Sequence, residues 1–243
     1  MAVLAAIWRH PVKGVGAEPL ARAELAPGRS LPGDRAWAIL TGSARDTGAW
    51  QPCRNFARGA HAPRLMAVTA ETRSDRLAFA HPQRPALEID PATDGEALLD
   101  WIAPLWPEER PAPTALIRAP EEGMTDSDFP SVSVLSLSSL DALSEAAGHA
   151  MDPRRFRGNL WIRGLEPWEE FDLIGRTLRV GEAELEVVDR IERCRATEAD
   201  PDTGERDTNT LALLRDQWGH RDFGVIARVV RPGRIALGSE VQA

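Results

Sequence analysis

Over the first third of the chain, apolar and polar residues alternate in short runs broken by glycine and proline, a pattern that predicts strands. Residues 4–10 end at Pro11, residues 34–40 place Trp37 and Ile39 on one side, and residues 64–71 alternate well. Residues 77–80 and 86–90 read as shorter strands, with 42–63 as a long aperiodic loop between them and the start of the chain. The period then changes. Leu98, Trp101, Ile102 and Leu105 recur at three- and four-residue spacing, so residues 94–106 are predicted helical.

Residues 111–130 are rich in proline and acidic side chains and mark a domain seam. A strand at 132–135 follows, then a helix from Ser138, where Ser138 and Asp141 have capping-box spacing. Leu140, Leu143 and Ala147 share its buried face, and Gly148 is its stop. Asp152-Pro153 starts a short turn of helix over 154–157. Strands are predicted at 160–163, at 177–180 and, with a bulge near Val187-Val188, at 183–193. Residues 208–218 form a helix on the spacing of Leu211, Leu214 and Trp218, and strands 225–230 and 234–237 close the chain around Pro232-Gly233. The fold class is mainly β (α+β): two β-rich units with a few helices, divided as 1–118 and 119–243.

Composition narrows the function. The 243 residues carry a net charge of -8 and two cysteines. Two thiols cannot form a four-cysteine iron–sulfur or zinc site, nor a disulfide framework. The acidic balance argues against a nucleic-acid partner. The longest uncharged run, 129–140, falls short of the roughly 20 apolar residues that span a bilayer, so no membrane association is expected. The N-terminus lacks a basic leader, and a cytoplasmic location is expected. There is no phosphate loop, dinucleotide fingerprint or serine-nucleophile elbow, and the five histidines are scattered as surface or loop positions.

Four features carry candidate chemistry. Cys194 lies between Arg193 and Arg195, which favour the thiolate, although a cysteine so placed is often unreactive. Cys53, in the long loop, is read as an ordinary residue. Arg154, Arg155 and Arg157 crowd a short segment ending at Asn159, either as phosphate-binding forks or as a solvated basic face. Lys13 is the only lysine among 29 basic residues, a hint that a compact ammonium is needed in the turn after the first strand. The segment from Asp200 to Asp207 resembles a calcium loop, but its glycine is one position early and its terminal glutamate is missing. A tight connection with Gly204 left-handed is the better explanation.

Five motifs in order resemble the MOSC family, in particular its amidoxime-reducing branch, mitochondrial and bacterial, with a MOSC N-terminal β-barrel domain. They are the segment from Ile7 through His10-Pro11-Val12-Lys13, Asp34-Arg35-Ala36-Trp37, Phe156-Arg157-Gly158-Asn159, Arg193-Cys194 with Asp200-Pro201-Asp202-Thr203-Gly204, and the late Phe223-Gly224. The resemblance implies an N-terminal β-barrel-like domain joined to a MOSC β-barrel domain. It also implies the molybdenum cofactor (Mo-molybdopterin), a phosphorylated pterin dithiolene, and chemistry independent of pyridoxal phosphate. Cys194 would be the metal-ligating and catalytic thiolate. Lys13, Gly14, Arg35, Ser131, Arg157, Asn159 and Arg193 would contact the pterin and its phosphate. The implied activity is an oxidoreductase reducing N-hydroxylated or N-oxide substrates by oxygen-atom transfer. The alternatives are a non-catalytic cofactor carrier or sulfur-transfer protein, and a β-domain that has lost its ligand. Only six residues follow Leu237, too few for the ferredoxin domain of some bacterial relatives, so a separate electron-donor protein carrying flavin, iron–sulfur or haem is expected. Asp200 and His220 stand as guesses for a proton donor. The chain departs from the family pattern at Gly14 (usually serine), Gly158 (usually proline) and Glu192 (commonly serine).

Overall fold

The computed structural model describes residues 1–243. In chain order the strands of the first half are β1 (Ala2–Arg9), β2 (Val12–Lys13), β3 (Glu18–Leu20), β4 (Arg22–Leu25), β5 (Trp37–Thr41), β6 (Thr69–Arg73), β7 (Arg76–His81) and β8 (Arg84–Ile89). Helix α1 (Gly95–Ile102) and β9 (Pro113–Arg118) follow, then β10 (Val132–Ser136), α2 (Leu137–Ala147), β11 (Leu160–Arg163), β12 (Thr177–Val180) and β13 (Ala183–Glu192). The chain closes with α3 (Thr210–Trp218), β14 (Asp222–Arg231), β15 (Gly233–Ala236) and β16 (Glu240–Gln242).

The larger sheet runs β11-β10-β14-β13-β12-β16-β1, and β1 pairs back onto β11, so seven strands close into a barrel with β3 attached outside β1. Closure leaves no free edge among the seven. Its interior is a core of 20 buried residues, including Val132, Val134, Leu185, Val225 and Ala227. Leu4 and Ile7 of β1 belong to that core, as do Leu25 and Leu31. The first strand thus crosses the 118/119 division and completes a barrel otherwise made by residues after 131. A second core of 15 residues, with Phe79, Leu98 and Trp101, sits beneath the N-terminal sheets β2-β5-β9 and β6-β7-β8. The mainly β, two-unit architecture matches the expectation.

Several local expectations are corrected. Residues 63–67 are a 3-10 turn, Pro63–Ala67, with proline at its start, and the strand begins only at Thr69. The seam at 111–130 contains strand β9, which pairs with β5. The cap of α2 is Ser136, whose hydroxyl accepts from Ser139 N at 3.3 Å, rather than Ser138. His81 is buried at the end of β7, neither a surface nor a loop position, whereas His10 is a loop position, though a buried one. Gly148 stops α2 in the left-handed region, and β13 carries its bulge between Val187 and Asp189.

Candidate functional site

A cavity of about 270 Å³ opens between the N-terminal loops and one end of the barrel. The N-terminal half contributes Lys13, Gly14, Arg35, Cys53 and Arg58 to its lining. Residues after the seam contribute Asp126, Ser131, Arg157, Asn159, Glu192, Arg193 and Cys194, among others. All eight site residues expected from the sequence therefore meet in one cavity. Asp200 and His220 do not reach it. Asp200 Oδ1 accepts from the backbone N–H groups of Asp202 and Thr203, and the His220 ring packs on Trp168 and Phe171.

The arginine run divides by function. Arg154 is held by Asp152 and Asp202, and Arg155, buried, by Asp207 and Asp200. The 200–207 segment is accordingly a carboxylate clamp on that turn, with Gly204 left-handed as expected. Arg157 differs. It sits at φ 47, past the end of the turn, and crosses to the N-terminal half, donating to Gly16 O at 3.0 Å and Val12 O at 3.4 Å. No carboxylate pairs with it. Burial and the adjacent Arg35 push its guanidinium down to about 9.

Arg193 has the same character. It donates to Phe223 O from Nε at 2.7 Å and to Phe156 O at 3.0 Å, and lies over both phenyl rings, which stack at 4.1 Å. It has no ion pair, and burial pushes it down to about 10 despite the nearby Cys194 and Asp126. Gly224 makes room for this arrangement: at φ +74, a Cβ there would lie 2.7 Å from Leu135 Cγ and 3.4 Å from Arg193 Nη2.

The other cations are better matched. Lys13 donates to Met124 O at 2.9 Å and Thr125 O at 3.1 Å and pairs with Asp126; burial still lowers it. Asp126, exposed on its solvent side, is held well below the ordinary carboxylate range by Lys13, Arg35 and Arg157 against the effect of burial. Arg35, at φ 50, pairs with Asp34 and donates to Arg157 O at 3.2 Å. Asp34 also accepts from His10 N at 2.7 Å. Burial and the cations around it push His10 down to about 3, so its ring is neutral. Asn159 Oδ1 accepts from Ser133 N and Oγ, and its amide donates to Trp8 O at 3.2 Å. Asn159 thus positions its segment across β1 and β10. Ser131 Oγ accepts from Ser127 at 2.7 Å.

Cys194 is exposed and borders both this cavity and a second, outer groove. No group of three His, Cys, Asp or Glu side chains capable of holding a metal is present, so a metal on Cys194 must bring its other ligands with it. Among the lining residues to which the sequence assigns no role are Asp126, Cys53 and Arg58. Cys53 accepts from Arg58 at 3.3 Å, and both come from the long loop, where no periodicity signals a site.

The three departures have local causes. A Cβ at Gly14, φ +77, would lie 2.2 Å from Ala57 O, so the backbone turn there admits only glycine comfortably. A Cβ at Gly158 would lie 2.1 Å from Leu135 Cδ1, whose side chain fills the place of a proline ring. Glu192 pairs with Arg221 toward solvent.

Fold and site together define a class: a closed β-barrel whose end, covered by N-terminal loops, forms a cationic cavity bordered by an exposed thiol. The chain belongs to the MOSC family. The MOSC domain profile matches residues 124–242 and that of the MOSC N-terminal beta barrel domain residues 1–101. Molybdenum cofactor sulfurase of Caenorhabditis briggsae is 38% identical over 93 residues, 36% of this chain and 13% of that protein. The Caenorhabditis elegans sulfurase is 44% identical over 76 residues, 30% and 10% of the two chains. The match thus spans a small part of these curated relatives. Among solved structures, the YUAD protein from Bacillus subtilis aligns over 99% of this chain and 94% of its own, with a TM-score of 0.47 and 13% identity. YiiM from Escherichia coli aligns over 46% and 54%, with a TM-score of 0.33 and 20% identity. No helix here is long and apolar enough to cross a membrane.

Proposed function

We propose that this protein binds the molybdenum cofactor in the cavity and reduces N-hydroxylated or N-oxide compounds. The observation that carries this is the pair of inward, ion-pair-free guanidiniums, Arg157 and Arg193, in the same cavity as an exposed thiol. Cations half-buried without acid partners are costly unless an anion completes them, and a thiolate suits a soft metal. A phosphorylated dithiolene joins both demands in one ligand. Arg157, Arg193, Arg35 and Lys13 would offset its negative charge, and the Gly14 backbone can approach closely for want of a Cβ. Ser131 and Asn159 would face its polar edges, and Cys194 would ligate the metal. When bound, the cofactor supplies the two-electron oxygen-atom chemistry, and the protein supplies orientation and electrostatics.

Electrons would come from a separate flavin, iron–sulfur or haem protein, in the cytoplasm, where both cysteines remain thiols. No nucleic acid or membrane enters this scheme. Freshly purified protein should contain molybdenum and pterin, and should reduce benzamidoxime-like compounds with dithionite and a mediator. Cys194→Ala should lose turnover; activity that survives it removes the assignment of that thiol. A second reading, sulfur transfer, is favoured by the sulfurase relatives. In it Cys194 carries a persulfide, and sulfane sulfur on Cys194 with reversible cofactor handover and no turnover would select it.

A further inference from the structure

We propose that the groove on the outer side of Cys194 admits small anionic substrates, molecules bearing a carboxylate or phosphate besides the reacting group. This rests on the reading above in taking Cys194 as the reacting end of the cavity. The groove shares Arg58, Glu192, Arg193 and Cys194 with the cavity and adds His61, Arg110, Arg195 and Arg221. Its one carboxylate is Glu192, already paired with Arg221. Glu198, behind the rim, is shared between Arg195 at 2.9 Å and Arg206 at 3.3 Å. Arg58 and Arg110 have no ion pair at all.

Arg58 is fixed at the junction, donating to Cys53 Sγ at 3.3 Å and lying 3.2 Å from His61 Nε2. Burial, then Arg58, Arg110 and Arg206, lower His61, so it stays neutral and offers no counter-charge of either sign. A chain of net charge -8 thus concentrates positive charge where its exposed thiol meets solvent. A field of that sign raises the local concentration of anions and slows the entry of cations.

Paired alkylating reagents test this on the native chain without cofactor, so the result stands apart from whether molybdenum binds. Rates of modification of Cys194 by iodoacetate and by iodoacetamide are measured peptide by peptide, with 2-mercaptoethanol, which has no charged group besides its thiolate, as the unsteered control. Arg58, Arg110 and Arg193, the three guanidiniums of the groove without an ion pair, should raise the iodoacetate-to-iodoacetamide ratio over that of 2-mercaptoethanol by roughly fivefold. The advantage should collapse in about 1 M salt, where the screening length is about 3 Å. Arg110 lines the groove but not the cavity and is exposed, so Arg110→Glu should reverse much of the preference with the far-UV spectrum unchanged. A ratio equal to that of 2-mercaptoethanol, a ratio untouched by Arg110→Glu, or a Cys194 that neither reagent reaches would each overturn the proposal.

Discussion

Arg157→Met should stabilise the anion-free protein while weakening anion binding. Burial lowers the Arg157 guanidinium from its ordinary, far higher range to about 9. At about 1.4 kcal/mol per unit, holding that charge in the folded protein at neutral pH costs roughly 4–5 kcal/mol. Methionine removes the charge at similar length but gives up the bonds to Gly16 O and Val12 O. Those are worth roughly 2–3 kcal/mol together, including the acceptors left bare. A gain of about 2 kcal/mol remains, which in a chain of this size raises the melting temperature by about 4–8 °C. Left-handed strain at this position is common to both side chains, so it cancels. Thermal unfolding at pH 7 in an anion-free buffer measures the gain, and a phosphate titration measures the loss. Phosphate at about 100 times its Kd should add close to 2.7 kcal/mol to the wild type and little to the variant. A variant that melts at or below the wild type and keeps the full phosphate shift would refute an uncompensated cation at the centre of the site.

The same charge has a pH signature. The folded pKa lies below the unfolded one, so the penalty is complete below about pH 9 and fades as pH rises further toward the unfolded value; the melting gap between Arg157→Met and wild type should narrow between about pH 8 and about pH 10.5, and a constant gap speaks against it. Glu18 accepts from Arg9 Nε and Thr72 Oγ1, both at 2.6 Å, and from Thr72 N at 2.8 Å, tying β3 to β6. Glu18→Ala should cost roughly 3 kcal/mol in urea unfolding, and a loss below about 1 kcal/mol would show that this tie is not structural. Gly158→Pro, which restores the commoner family residue, should destabilise by about 1–3 kcal/mol because of Leu135, and adding Leu135→Ala should recover part of it in a double-mutant cycle; strictly additive losses would clear Leu135 of the clash.

Arg154, Arg155 and Arg157 mark the limit of what spacing reveals. In the sequence they form one basic run, a phosphate fork or a solvated face. In the fold neither holds for the group: two are neutralised, Arg154 by Asp152 and Asp202 and Arg155 by Asp200 and Asp207 some 50 residues away, and only the third stays free. Cys53 and Arg58 were illegible for a related reason. They stand in a loop without periodicity, and their only claim to the site is proximity to residues far along the chain.

The sequence by itself determined the three helices, the longer strands other than β9, the stop at Gly148 and the left-handed Gly204, because each follows from neighbours within a few positions. It also carried the ordered motifs that place Lys13, Arg35, Arg157, Asn159, Arg193 and Cys194 in one family. Tertiary structure alone decided that β1 closes a barrel built from the other end of the chain, since strand pairing over such separations leaves no local mark. It alone decided which cations are compensated. Charge balance depends on distance in space, and Lys13 meets Asp126, while Arg157 reaches Gly16, only after the two halves have folded against each other.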